Sequence, residues 1–222
     1  MDKYNTDLSV AMRHFEVHNR TEGKSVRTVP WYNEVLGLLY RWLREGERPT
    51  SLSSIHEMVV REFTLDLQGR PSWKDGLMSS HTVYHRVKAL RSFFAWLGKK
   101  GYTDGNALAE LKQPKTTRLI IEPLTKEEIG KVFAAINADT SLGARNAALI
   151  SLMLDTGLRV SEVADLKGGD VHLEAQYVKV MGKGSKERLV SFGTTCQRAL
   201  LDYQYQLGWR LPSKAKKPSS CR

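Results

Sequence analysis

Apolar positions recur at helical spacing through most of the first half of the chain. Leu8 to Val17 keeps that spacing, with Thr6 or Asp7 placed to cap it. Val35, Leu38, Leu39 and Trp42 share a face of a second helix predicted over Val29–Arg44. Pro30 sits in its first turn, where a missing N–H costs little, and Gly46 lies just past its end. Ser51 to Gln68 reads as a third helix capped by Ser53 or Ser54, and residues 69–76, with Pro71, as a loop. The fourth helix, Ser80 to about Lys99, is the most regular. Val83, Val87, Leu90, Phe94 and Leu97 lie on one face. The opposite face carries His81, His85, Lys88, Ser92 and Lys99, flanked by Arg86 and Arg91.

The period stops between Gln113 and Pro123, where basic and β-branched residues lie between two prolines; this predicts an extended interdomain linker. Thr125 followed by Glu128 is a capping-box pattern, opening a helix (Ile129, Val132, Phe133, Ile136) that ends near Asn137. The next helix, Leu142 to Asp155, is apolar almost all round and is expected to be buried. Thr156-Gly157-Leu158-Arg159-Val160-Ser161-Glu162 then opens a short helix to about Leu166. After Gly168-Gly169 the period changes. Tyr177–Met181 and Arg188–Phe192 suit two strands of a β-hairpin with the tip Gly182-Lys183-Gly184-Ser185-Lys186. A last helix spans about Thr194–Leu207, and the Lys/Ser/Pro-rich tail from Pro212 is expected to be disordered.

Composition narrows the partners. A chain of 222 residues suits one large domain or two ordinary ones. No apolar run approaches the ~20 residues that span a bilayer, and the charged N-terminus has no signal-peptide core. Cys196 and Cys221 form neither a disulfide framework nor a metal-ligand pattern, so a reducing, cytoplasmic setting is expected, without metal. The net charge of +10 and pI near 9.6 point to a polyanion, nucleic acid first. Half of that excess sits in residues 210–222, so the body of the chain carries a weaker signal. The polar face of the fourth helix is accordingly either a solvated face or a stripe that tracks phosphates.

Three residues hold candidate chemistry. Arg159 begins a helix directly after a buried one, the two separated by a glycine, and there a guanidinium and helix N–H groups both favour an anion; alternatively it is a surface or interdomain ion-pair arginine. Glu162, three residues on, could hold Arg159 in one rotamer or form a simple helix pair. Lys183, between glycines at a hairpin tip, could donate a proton to a departing alkoxide, or serve only as a soluble turn residue. The tip is not a P-loop, which has different spacing.

Thr156–Glu162, followed by Val180-Met181-Gly182-Lys183-Gly184-Ser185-Lys186-Glu187-Arg188, resembles the tyrosine recombinase family of phage-type integrases and chromosome-dimer resolvases. The likeness extends to Ser25–Trp42 and Ser79–Trp96, similar to the second and fourth helices of the family's core-binding domain, and to Pro123-Leu124-Thr125 at the usual start of its catalytic domain. The resemblance implies a mainly α fold with a small β-hairpin or sheet. A helical (SAM-like) core-binding domain over 1–112, a linker over 113–124, the first part of an α+β catalytic domain over 125–209 and a basic tail over 210–222 are expected. It implies double-stranded DNA as partner, other recombinase protomers as further partners, and strand cleavage through a phosphotyrosine with no metal or small-molecule cofactor. Arg159 would stabilise the transition state, Lys183 would be the general acid, and Glu162 (Asp165 second) the supporting acid. His81, His85, Lys88, Arg91, Lys99 and Lys186 are the candidate DNA-binding residues. The two basic domains would clamp a duplex.

The chain departs from the family in its last third. It contains no His-x-x-Arg, and Tyr203 and Tyr205 follow the hairpin too early to be the family's nucleophile. Residues 210–222 show no likeness. The expectation is a truncated recombinase that holds DNA without cutting it. The alternative is a binding-only module that occupies recombination sites or modulates a full-length recombinase.

Overall fold

The computed structural model describes residues 5–72, 76–117, 120–182 and 186–206. Lys183 and the basic tail lie outside the described residues. The chain divides into two compact units, Met1–Ile120 and Ile121–Arg222, each with its own core. Among the described residues no helix is long and apolar enough to cross a membrane.

The first unit packs four helices: α1 (Leu8–Thr21), α2 (Thr28–Glu45), α3 (Glu57–Gly69) and α4 (Ser80–Lys99). Asp7 caps α1, accepting from Ser9 N at 2.8 Å, and the Thr50 hydroxyl donates to the same carboxylate. Leu36 and Leu39 of α2, Phe63 of α3 and Leu90 and Phe93 of α4 meet Leu8 in a fully buried core. The Phe15 ring lies 5.2 Å from Tyr32, 5.2 Å from Phe93 and 5.1 Å from Trp96, joining α1, α2 and α4 through aromatic edges.

The third helix starts later than its sequence suggests. Leu52–Ser54 form a 3₁₀ turn and the helix begins only at Glu57. Leu52 and Ile55 are both buried, Leu52 N donates to Thr6 O, and the Ser51 and Ser54 hydroxyls bond each other at 2.6 Å. These anchors compete with a helical ladder, and neither Ser53 nor Ser54 is the cap.

The second unit contains α5 (Lys126–Ala134), α6 (Ser141–Thr156), α7 (Val160–Ala164), β1 (Val171–His172), β2 (Tyr177–Gly182), β3 (Lys186–Ser191) and α8 (Thr194–Gln206). Thr125 and Glu128 form the capping box of α5, which ends at Ala134 rather than near Asn137. The strands make an antiparallel sheet in the order β1-β2-β3. At two residues, β1 is too short to show an alternating pattern and is absent from the sequence-based expectation. Val178 and Val180 of β2 pack with Leu152, Leu158, Val163, Phe192 and Cys196.

The expected burial of α6 on all sides is corrected. Only Gly143, Ala144, Ala148 and Leu152, a stripe at helical spacing, are buried, whereas Leu142, Leu149 and Leu154 are exposed. Small residues on the stripe let α6 approach its neighbours closely: a Cβ on Gly143 would fall 1.8 Å from Asn137 O. Along the same stripe, Leu152, with Leu149 beside it, joins Val163, Leu173, Leu200 and Tyr203 around an apolar groove of about 470 Å³.

Candidate active site

The path of the chain after α6 sets Arg159. Gly157 ends the helix in the left-handed region (φ +64°), where a side chain would be strained, and its N–H donates to Met153 O. Leu158 turns inward and is buried, so Arg159 turns out. Arg159 is extended (ψ 149°) immediately before α7, and its side chain is 73% exposed.

Glu162 lies one turn into α7 and its side chain is only 6% exposed. Four N–H donors meet its carboxylate. Oε2 accepts Arg159 N at 3.0 Å and Arg188 Nη2 at 2.9 Å. Oε1 accepts Arg159 Nη1 at 3.1 Å and Arg188 Nη1 at 2.9 Å. Arg188's guanidinium foremost, with Arg159's backbone N–H, holds the Glu162 carboxyl down to about 2. The same pair raises Arg188. The cluster carries two cations and one anion, so a positive charge is left over beside a helix start.

Arg188 as the partner of Glu162 is the residue that sequence reasoning missed. It pairs with Val180 across the sheet, on the face that buries Val178 and Val180. A charged residue at the inward parity of a strand was the available signal. Gly182 makes room for it, since a Cβ there would come within 2.8 Å of Arg188 Nη1. Asp165 closes α7 at its far end and makes no bond to Arg159 among the described residues. Lys186 is exposed at the start of β3, opposite Gly182.

In the first unit, α4 presents His85, Lys88, Ser92 and Lys99 on its exposed face, with Arg91 half-buried beside them. Among the described residues Lys88, Arg91 and Lys99 have no ion pair within 4.0 Å. Two other members of the band are engaged. His81 Nε2 bonds Thr117 O at 2.8 Å while Thr117 N donates to Ser80 Oγ, and Arg86 pairs with Glu34 of α2 at 3.6 Å. Tyr203 is half-buried along the apolar groove and Tyr205 is 88% exposed.

Comparison with known proteins places this architecture. Residues 122–219 match the phage integrase family, so the match runs past residue 210 into the tail, where no likeness is expected from the motifs. Tyrosine recombinase XerC of Xylella fastidiosa strain 9a5c is 39% identical over 186 residues, 82% of this chain and 59% of the relative. XerC of Oceanobacillus iheyensis is 33% identical over 176 residues, 79% of this chain and 55% of the relative. XerC of Anoxybacillus flavithermus is 28% identical over 219 residues, 99% of this chain and 70% of the relative. The chain thus spans between about half and seven-tenths of these relatives. Among solved structures, a lambda integrase dimer bound to a COC' core site has a TM-score of 0.70 at 17% identity, over 93% of this chain and 56% of that one. A lambda integrase tetramer bound to a Holliday junction scores 0.69, also at 17% identity, over 92% of this chain and 58% of that one.

The helical unit followed by the small sheet flanked by helices is therefore an integrase-type fold. The chain belongs to the tyrosine site-specific recombinase family.

Proposed function

We propose that this chain is a DNA-binding component of site-specific recombination, gripping duplex DNA through phosphate contacts from both units. The observation that carries the reading is the exposed guanidinium of Arg159, anchored through Glu162 at the start of α7. In that place it can meet a phosphodiester oxygen and stabilise charge developing on it. Glu162 acts as its support, and Lys183 is the proton donor to the leaving hydroxyl. Arg91, His85, Lys88 and Lys99 of α4 and Lys186 of β3 contact phosphates, and His81 shares in that face while tying down Thr117. The relatives named XerC support recombination as the process, and solved DNA complexes of lambda integrase support DNA and further protomers as partners.

The 222 residues hold no His-x-x-Arg, and neither Tyr203 nor Tyr205 has a nucleophile's expected place in the sequence. Members of a catalytic set are strongly interdependent, so the chain alone is expected to bind without cleaving.

The test is retention of duplex fragments taken from the sequence flanking the gene, followed by denaturing gels. A specific retained fragment with no covalent adduct is expected. An adduct would show that a tyrosine discounted above is active. No retention even at low salt would overturn the DNA reading.

A further inference from the structure

Glu162 has two oxygens and two arginines to serve, and it serves them unequally. Arg188 takes both oxygens end-on at 2.9 Å, while the Arg159 side chain makes a single bond of 3.1 Å. The arginine bound once is 73% exposed, and the one bound twice is 41% exposed. Arg188 reaches this position from β3 through the inward parity of the strand and the missing side chain of Gly182.

Without Arg188 the balance would change. Glu162 is buried and ionised, and a buried carboxylate without partners is strongly disfavoured. The nearest remaining cation is Arg159, already bonded to Oε1 and bound through its backbone N–H to Oε2. Its planar fork can close on both oxygens. That closure would neutralise Arg159 and turn its donors away from an incoming phosphate.

We infer that Arg188 is a positioning residue: by occupying both oxygens of Glu162, it keeps Arg159 from forming a closed pair and so leaves that guanidinium free for a phosphodiester. The inference rests on the DNA-binding reading for its consequence, but the arrangement of the three side chains can be tested separately.

Two readouts on the full chain make the test, with Arg188→Ala, Arg159→Ala and Arg188→Ala/Glu162→Gln as variants. The first is nitrogen NMR of the Arg159 side chain without DNA. Its N–H exchange should slow in Arg188→Ala, as the closed pair forms, and return to the fast wild-type regime in the double variant. The second is affinity for a random-sequence duplex across a salt series. Arg188→Ala should lose about fivefold, as one lost phosphate contact does, with a salt slope lower by about one. The double variant should recover most of that loss. A residue that merely holds the hairpin would leave the double variant no better than Arg188→Ala. A pure charge effect would restore affinity without altering Arg159 exchange. Either result overturns the inference. If the wild type binds no duplex at all, the DNA reading fails, and Arg159 exchange still decides the role of Arg188. Should Arg188→Ala not fold, Arg188→Met, which keeps the apolar stem and removes the fork, should give the same slowing of Arg159 exchange.

Discussion

Glu162 is ionised far below the ordinary carboxylate range, and that has a consequence for stability. Its carboxyl moves from an ordinary value of 4.5 to about 2 on folding, chiefly through Arg188. A depressed carboxyl contributes stability above its unfolded value and loses it as pH falls through the folded one. The contribution is therefore present at neutral pH and disappears between about pH 4.5 and 2. Glu162→Gln should lower the melting temperature of the second unit at pH 7 and flatten its decline over that acid window. Parallel melting curves for wild type and variant would refute the assignment. At this scale Arg159 and Glu162 were legible from spacing, because i and i+3 positions on a helix meet. Arg188 was not, because its partner lies 26 residues away and only strand register shows which way it points.

Among the elements, α4 was read almost completely from its sequence, both ends and both faces. A strict apolar period leaves one orientation in which Val83, Val87, Leu90, Phe94 and Leu97 are buried together, as they are. Phe93, absent from the predicted stripe, is also fully buried, and Phe93→Ala should cost roughly 3–5 kcal/mol on chemical denaturation of the first unit. The exposed face of the same helix makes a separate prediction. Lys88→Ala and Arg91→Ala should each weaken duplex binding similarly across sequences and lower the salt slope by about one in filter retention. An unchanged slope would return that face to the solvated reading. Two elements resisted. The start of α3 depends on Leu52 and Ile55 being drawn into the core of the first unit, a tertiary demand invisible to local pattern. The apolar sequence of α6 has no period strong enough to mark a face, and the structure buries one stripe of it, Gly143, Ala144, Ala148 and Leu152.

For the whole molecule, the chain divides into compact units after Ile120, and the stretch 113–124 is the one expected to be an extended linker. The stretch is not all free linker, since Thr117 is held by His81 and Ser80 at the head of α4. His81→Ala should therefore speed trypsin cleavage after Lys115, read as the rate at which the intact chain disappears. An unchanged rate would mean the two bonds do not restrain the segment. The excess positive charge was legible as a count but not as a location: the guanidinium cluster on Glu162 emerges only when β3 and α7 come together.

The most direct test of the central claim is a salt titration of binding to the retained duplex fragment, comparing wild type with Arg159→Ala. The account predicts steep salt dependence in the wild type and, for the variant, weaker binding with a slope lower by about one, since one phosphate contact is lost. Identical curves for the two proteins would contradict it.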